Sequence, residues 1–372
     1  MIDHMKLVPI DQWGLTDKSH LLISGPCSAE TPEQVMQTAK DLVKHVPEVK
    51  VFRAGIWKPR TRPNNFEGIG IEGLSWLQEV KEETGLLTSV EVANANHVYE
   101  ALKHGIDILW VGARTTVNPF SVQDIANALK GVDVPVLVKN PINPDLQLWL
   151  GAIERIHQAG ITRLGAIHRG FSAGQNGRFR NAPVWKLAIE LKRLLPDLPM
   201  ICDPSHICGK RDLLLEISQK ALDLAMDGLM IESHPNPDEA WSDKDQQVTP
   251  VALSELLHQL KVRKPEGVDP ETVDFLSMYR DEIDLIDLEI LDTIARRAKV
   301  VEKIAQYKKE HKMTILQVNR WDELLKDRLA VAKKLGLDDK FSKELLQQIH
   351  LMSIRIQTKV MNEQQNNKAV ES

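Results

Sequence analysis

The chain has 372 residues, 42% hydrophobic and 27% charged, with a formal net charge of -5. That length leaves room for one large domain and a smaller one, and the balanced, slightly acidic composition argues against a nucleic-acid or membrane-surface binder. No run of 18 apolar residues occurs, "MIDHMKLVPIDQWG" lacks the apolar core of a signal peptide, and three cysteines are too few for a disulfide framework. The expected compartment is the reducing cytoplasm.

From residue 20 onward, short apolar runs alternate with amphipathic helical periods. The runs are "LLISGPCS" (21–28), "KVFRAGI" (50–56), "LLTSVEV" (86–92), "DILWVGAR" (107–114), "PVLVKN" (135–140), "RLGAIHRG" (163–170), "MICDPSH" (200–206) and "GLMIESHP" (228–235). Near-continuous apolar strands between helices indicate a parallel sheet covered on its outer face. Eight units in about 240 residues predict a closed (β/α)8 barrel, with an open doubly wound sheet as the alternative. In nearly every unit the charged or reactive residue stands at the strand's C-terminal end: Cys27, Arg53, Glu91, Arg114, Lys139, Arg169, His206 and Glu232. Barrel enzymes build their sites on that rim.

The stretch "FRAGIWKPRTRPNNFEG" crowds Arg53, Lys58, Arg60 and Arg62 together and stiffens them with Pro59 and Pro63. A solvated charge run needs no stiffening, so the stretch reads as an anion cradle. With Arg114, Lys139 and Arg169 the rim holds seven cations, more than a neutral substrate requires. Cys27, His206, Glu232 and Asp243 could share a divalent metal, and a mixed sulfur, nitrogen and oxygen set suits Mn, Fe, Co or Zn better than Mg. Cys202 and Cys208 flank His206 without forming a zinc knuckle, because Cys202 alternates with Asp203 along a strand and Cys208 has no partner at ligand spacing.

After residue 260 the style changes. "KVRKPEGVDPETVDF" reads as a linker, and from Glu271 to about Lys312 one helical pattern runs without Gly or Pro, roughly 60 Å long at the usual rise. Two shorter helices follow at about 316–335 and 341–359, and the tail "NEQQNNKAVES" is expected to be disordered. The domains are therefore drawn as a barrel over 1–262, a linker over 263–274, an all-α three-helix domain over 275–360 and a tail over 361–372. So long a helix cannot bury its apolar stripe against two short ones, and a dimer is expected. Arg297 and Lys308 fall inside that stripe, about 16 Å apart and nearly aligned. Arg280, about 25 Å before Arg297 and some 100° round the helix, can serve the same small site only from a second chain.

"GPCSAE", "FRAG" with "KPRTRP", "SVEV", "GAR", "VLVKN", "HRG", "DPSH", "IESH" and "SDKDQQ" together resemble 3-deoxy-D-arabino-heptulosonate 7-phosphate (DAHP) synthase, over roughly residues 20–262 and in its compact class without an N-terminal regulatory domain. The resemblance implies condensation of phosphoenolpyruvate with erythrose 4-phosphate at a metal held by Cys27, His206, Glu232 and Asp243, which polarises the aldehyde. It further implies that Arg114 and Arg169 take the phosphoenolpyruvate phosphate, that Arg53, Lys58 and Lys139 surround its carboxylate, that Arg60 with Thr61 grips the sugar phosphate, and that Glu91 positions a water. Pro59 would then aim Lys58 and Arg60 at two different anions, while Arg62 has no clear role. The octulosonate phosphate synthases share the chemistry but show a K-A-N-R-S type segment where this chain reads "KPRT", which favours erythrose 4-phosphate over arabinose 5-phosphate. A metal-dependent aldolase of sugar bisphosphates is the rival outside this group.

"YRDEIDLIDLEILDTIARRAKVVEKIAQYKK" and "SIRIQ" resemble the all-helical chorismate mutases over residues 275–360. That likeness implies that Arg280 from the partner chain, Arg297 and Arg320 hold the two carboxylates of chorismate with Ser353 assisting, and that Lys308 and Gln357 meet the ether oxygen. Trp321 stands where the family usually has an acid for the ring hydroxyl, and Gln317 is expected to take over that bond, with weaker substrate binding. The combined expectation is a bifunctional enzyme of aromatic biosynthesis inhibited by prephenate. In the rival reading the helical region is a regulatory and dimerisation module.

Overall fold

The computed structural model describes residues 5–15, 20–58, 66–172, 178–263, 270–316 and 318–362. They fall into two compact units that divide between Pro265 and Glu266. In the first unit eight strands pair in sequence order, all parallel, and β1 closes on β8 from Leu21 opposite Gly228 to Gly25 opposite Glu232. The strands are β1 (Leu21–Gly25), β2 (Val51–Arg53), β3 (Leu87–Val92), β4 (Ile108–Val111), β5 (Val136–Lys139), β6 (Leu164–His168), β7 (Met200–Cys202) and β8 (Gly228–Glu232). The sheet is a closed barrel.

Alternation along each strand sorts the side chains into two cores. Leu21, Ile23, Val51, Ile108, Trp110, Leu137, Ile167, Ile201 and Met230 fill the interior, which Trp13 and Leu15 of the N-terminal segment also join. Phe52, Val90, Val111, Val138, Cys202 and Ile231 face outward against the surrounding helices. Those helices begin on conventional caps: Thr31 accepts from Gln34 N before Pro32–His45, and Asn118 accepts from Phe120 N before Pro119–Ala128.

The same alternation sets what points into the mouth. Two residues beyond inward Val51 stands Arg53, beyond Leu137 stands Lys139, and beyond Met230 stands Glu232. Arg169 and Asp203 likewise follow inward Ile167 and Ile201, so apolar packing lower in the barrel fixes the polar ring above it.

The second unit is three helices, Pro270–Glu310, Val318–Lys334 and Asp339–Asn362, with the third packed against both others. Its core is small: Val301, Ala305 and Ala332 are buried, whereas Ile283, Leu285, Ile286, Leu288, Ile290 and Leu291 along the first helix stay about half exposed or more. Fully covering such a side chain contributes about 1.5–3 kcal/mol. No helix among the described residues is long and apolar enough to cross a membrane.

Candidate functional site

At the C-terminal mouth of the barrel, Cys27, Arg53, Lys58, Glu91, Arg114, Lys139, Arg169, His206 and Asp243 line one cavity of about 80 Å³, together with Trp110 and Arg180. Arg53, Lys139 and Glu232 are the last residues of their strands. Not every candidate ends a strand, as the sequence reading had it: Arg114 lies in the short helix Ala113–Thr116, and His206 in Pro204–Cys208. Asp203 caps the latter helix, accepting from His206 N at 3.1 Å. Arg60, Thr61 and Arg62 lie outside the described residues.

The cavity is strongly polarised. Lys58 Nζ lies 2.7 Å from Cys27 Sγ and also donates to the Cys27 carbonyl, Ser28 and Ser242. Arg53 donates to Glu232 Oε1 at 3.0 Å, and its guanidinium stands 5.1 Å from the centre of the Trp110 ring. Lys139 Nζ and Asp203 Oδ2 are 3.0 Å apart, both buried. Burial would raise the Asp203 carboxyl, but His206 and Lys139 outweigh it and hold the group well below the usual range. Burial, with Glu232 adding, pushes the Cys27 thiol up to about 12 despite Lys58. Burial pushes Arg169 down to about 10, and the nearby Arg180 and Arg114 add to the effect. Several guanidinium groups in one enclosed mouth need an anion to offset their repulsion.

Glu91 is fixed from two sides. The Trp110 indole donates to Glu91 Oε2 at 3.0 Å, and a Cβ on Gly112 would overlap Glu91 Oε1.

In the helical unit, Arg297 donates to Ser353 Oγ at 2.6 Å, Ser353 donates to the Ile349 carbonyl, and Gln357 Nε2 reaches the Ser353 carbonyl at 3.3 Å. Lys308 is buried to 9% exposure and donates to the Ile315 carbonyl at 2.6 Å. Gln357 Oε1 is buried with no hydrogen-bond partner. Trp321 stacks on His350 at 3.9 Å and 15°. Arg280 and Arg320 are exposed, the latter 3.6 Å from Glu323. One chain thus gathers Arg297, Ser353 and Gln357 and leaves Arg280 and Arg320 facing solvent. Gln317 lies outside the described residues.

Residues 13–266 match the DAHP synthetase I family. The chain belongs to that family. Residues 279–358 of this DAHP synthetase I chain match chorismate mutase type II. Among curated relatives, the chain is 31% identical over 240 residues to the phospho-2-dehydro-3-deoxyheptonate aldolase of Thermotoga maritima, covering 64% of this chain and 68% of the relative. It is 27% identical over 266 residues to the 2-dehydro-3-deoxyphosphooctonate aldolase of Wolinella succinogenes, covering 64% and 97%. A crystal structure of the Thermotoga maritima DAHP synthase superposes with a TM-score of 0.61 at 29% identity, covering 69% of this chain and 73% of that one.

The DAHP synthetase family implies a metal, and Cys27, His206, Glu232 and Asp243 are the sulfur, nitrogen and oxygen donor types that would hold one. Cys27 Sγ is 3.1 Å from Asp243 Oδ2, and His206 Nε2 is 3.8 Å from Glu232 Oε1. His206 Nδ1 is held by Asp203 at 2.8 Å, which leaves Nε2 to act as a donor. Each acidic donor also meets a cation: Lys58 on Cys27, Arg53 on Glu232 and Arg180 on Asp243. Among the described residues no three His, Cys, Asp or Glu side chains close on a single point.

Several residues of the synthase mouth escaped the sequence reading. Arg180 donates to Asp243 and Gln246 at 2.7 Å each, Gln246 donates to Glu232 at 2.7 Å, and Asn181 accepts from Arg169 at 2.9 Å. The only signal for Arg180 and Asn181 was "GRFRN", one more basic segment, while Gln246 sat unremarked inside "SDKDQQ".

Proposed function

We propose that the barrel condenses phosphoenolpyruvate with erythrose 4-phosphate to DAHP and phosphate, and that the helical unit rearranges chorismate to prephenate, two steps of aromatic biosynthesis on one chain. The observation supporting the first activity is the gathering of Cys27, His206 and Asp243 with Arg53, Lys58, Arg114, Lys139 and Arg169 about one cavity.

In this reading Arg114 and Arg169 hold the phosphate of phosphoenolpyruvate, while Arg53, Lys58 and Lys139 surround its carboxylate. Arg60 and Thr61 take the sugar phosphate. A divalent cation (Mn, Fe, Co or Zn) held by Cys27, His206, Glu232 and Asp243 would supply Lewis acidity to the aldehyde. The methylene carbon of phosphoenolpyruvate bonds to the aldehyde carbon, and the aldehyde oxygen becomes a hydroxyl. Water, positioned by Glu91, adds to the neighbouring carbon, and its proton balances the one taken up by the aldehyde oxygen. The bond from that carbon to the phosphate oxygen then breaks, leaving a ketone and releasing phosphate with the remaining proton. Fixed cations cost no reorganisation as charge moves. Phosphate release from phosphoenolpyruvate tests this, with erythrose 4-phosphate against arabinose 5-phosphate and with or without chelator. Turnover of arabinose 5-phosphate alone would reverse the sugar assignment, and indifference to chelation would remove the metal.

For the mutase, Arg297, Arg320 and the partner subunit's Arg280 bind the two carboxylates with help from Ser353, and Lys308 and Gln357 donate to the ether oxygen as charge builds there. The rearrangement moves no proton, so a site of donors without a nucleophile suits it. The exposed apolar face of Pro270–Glu310 supports a homodimer. Trp321, turned onto His350 and offering no acceptor, favours the second reading of an assembly module. Failure of the full chain to convert chorismate would support that reading. Prephenate binding at the helical unit is proposed to inhibit the synthase, and a synthase rate unchanged by prephenate would refute this.

A further inference from the structure

Two adjacent residues touch both halves of the synthase mouth. Asn181 is buried and spends its amide on two partners: Oδ1 accepts from Arg169 at 2.9 Å, and Nδ2 donates to the His206 carbonyl at 2.6 Å. Its backbone N donates to the Ile207 carbonyl at 3.1 Å, and Arg180 N donates to Cys208. The Arg180 guanidinium donates to Asp243 Oδ1 and to Gln246 Oε1, and Gln246 Nε2 passes the contact on to Glu232 Oε2. Gly209, in the left-handed region at φ +68, ends the short helix, and any Cβ there would strike the Arg180 stem. The segment is therefore seated on the helix that carries His206 by backbone bonds, by a close approach only glycine allows, and by both side chains.

We propose that Arg180 and Asn181 act as a clip, a pair of positioning residues that sets the metal donors His206, Asp243 and Glu232 in register with the phosphate-binding Arg169. The proposal rests on the roles given above to those four residues. A plain loop anchor would explain the backbone bonds. It would not explain why all four side-chain contacts end on Asp243, Gln246, the backbone of His206 and Arg169, that is on the metal donors, a partner of one, and the phosphate-binding arginine. Partners of this kind fix the direction of a ligand's lone pair, and their loss typically lowers metal affinity about 10- to 100-fold.

The two halves of the Asn181 amide can be separated. Asn181→Ala removes both contacts, Asn181→Asp keeps an acceptor for Arg169 but loses the donor to the His206 carbonyl, and Arg180→Ala removes the bonds to Asp243 and Gln246 while leaving the Asn181 bond to Arg169 in place. Full-length variants are titrated with cobalt(II), read by its thiolate charge-transfer absorption, and their KM for phosphoenolpyruvate is taken from phosphate release at saturating metal. Arg180→Ala and Asn181→Asp should weaken cobalt binding about tenfold or more and hold KM within about threefold. Asn181→Ala should weaken cobalt binding and raise KM by about tenfold each. Should Asn181→Ala not fold, the other two variants carry the test by themselves. Wild-type cobalt affinity in Arg180→Ala, or equal KM in Asn181→Ala and Asn181→Asp, would overturn the clip. A wild-type chain without a cobalt-thiolate band would instead overturn the ligand set on which the clip depends.

Discussion

Asp203 Oδ2 meets two partners at once, His206 Nδ1 at 2.8 Å and Lys139 Nζ at 3.0 Å. One buried acid thereby fixes the tautomer of a candidate ligand and neutralises a candidate substrate cation. Asp203→Asn keeps the shape and removes the charge. It should weaken divalent-metal binding about 10- to 100-fold while the fold survives. Both substitutions leave the Lys139 ammonium, which is 4% exposed, without its carboxylate, and an unpaired buried charge costs about 3–5 kcal/mol. The Asn amide oxygen still accepts from Lys139 and offsets part of that cost, whereas Asp203→Ala bears it in full. Metal titration and denaturant unfolding of both variants read the two effects separately. Wild-type metal affinity in the Asn variant would show that His206 needs no such partner.

Gly112 leaves room for a carboxylate. A methyl group there meets Glu91 Oε1, which is the far end of a side chain able to rotate away from Trp110. The cost in stability should then stay within about 1 kcal/mol, while displacement of the water-positioning group lowers synthase kcat by at least about tenfold. Steady-state kinetics of Gly112→Ala alongside its melting temperature give both numbers. Full activity would mean that Glu91 does not take part.

His168 points outward from β6 among Trp149, Phe171 and Trp185, and neither ring nitrogen meets a well-formed hydrogen bond. Burial pushes it down to about 4, with a partial rise from the Pro183 carbonyl. Above the ordinary value near 6.5 the ring is neutral in both folded and unfolded chains, so it adds no pH dependence. As pH falls from about 6.5 to 4 the unfolded chain takes up a proton that the folded chain refuses, and stability drops by about 3 kcal/mol over that window. His168→Phe should flatten this part of the profile. Denaturant midpoints of the barrel transition at neutral and mildly acidic pH decide it, and an unchanged acid slope in the variant would clear His168.

Much of the barrel was legible because period two does two jobs: it sorts Val51 from Phe52, and it also aims Arg53. Arg53, Lys139 and Glu232 could be read from strand ends for that reason, whereas Asp243 stood out only in the loop segment "SDKDQQ". Arg180 and Asn181 could not be read, since a loop that folds back over a helix has no periodicity and its polar residues look like any solvated segment. Asp203 was visible only as a turn residue in "DPSH", although it is the cap of the helix bearing His206. In the helical unit the absence of Gly and Pro announced the long helix, and the bare stripe from Ile283 to Leu291 follows from its outreaching its two neighbours.

That stripe leads to the most demanding test of the mutase site. Arg280 is exposed, whereas Arg297 is tied to Ser353 within its own chain. If each site takes Arg280 from one copy and Arg297 from the other, Arg280→Ala and Arg297→Ala homodimers should each lose nearly all mutase activity, because an unpaired substrate carboxylate is costly at either end. Refolding an equal mixture places both lesions in one site of every heterodimer and leaves its second site intact. Half the dimers are then mixed and half their sites are whole, so activity should return to about a quarter of wild type. Recovery depends on subunit exchange, so it should be missing when the two homodimers are mixed without unfolding. If Arg280 acted within its own chain, each mixed dimer would carry two damaged sites, and no activity would return at any mixing ratio.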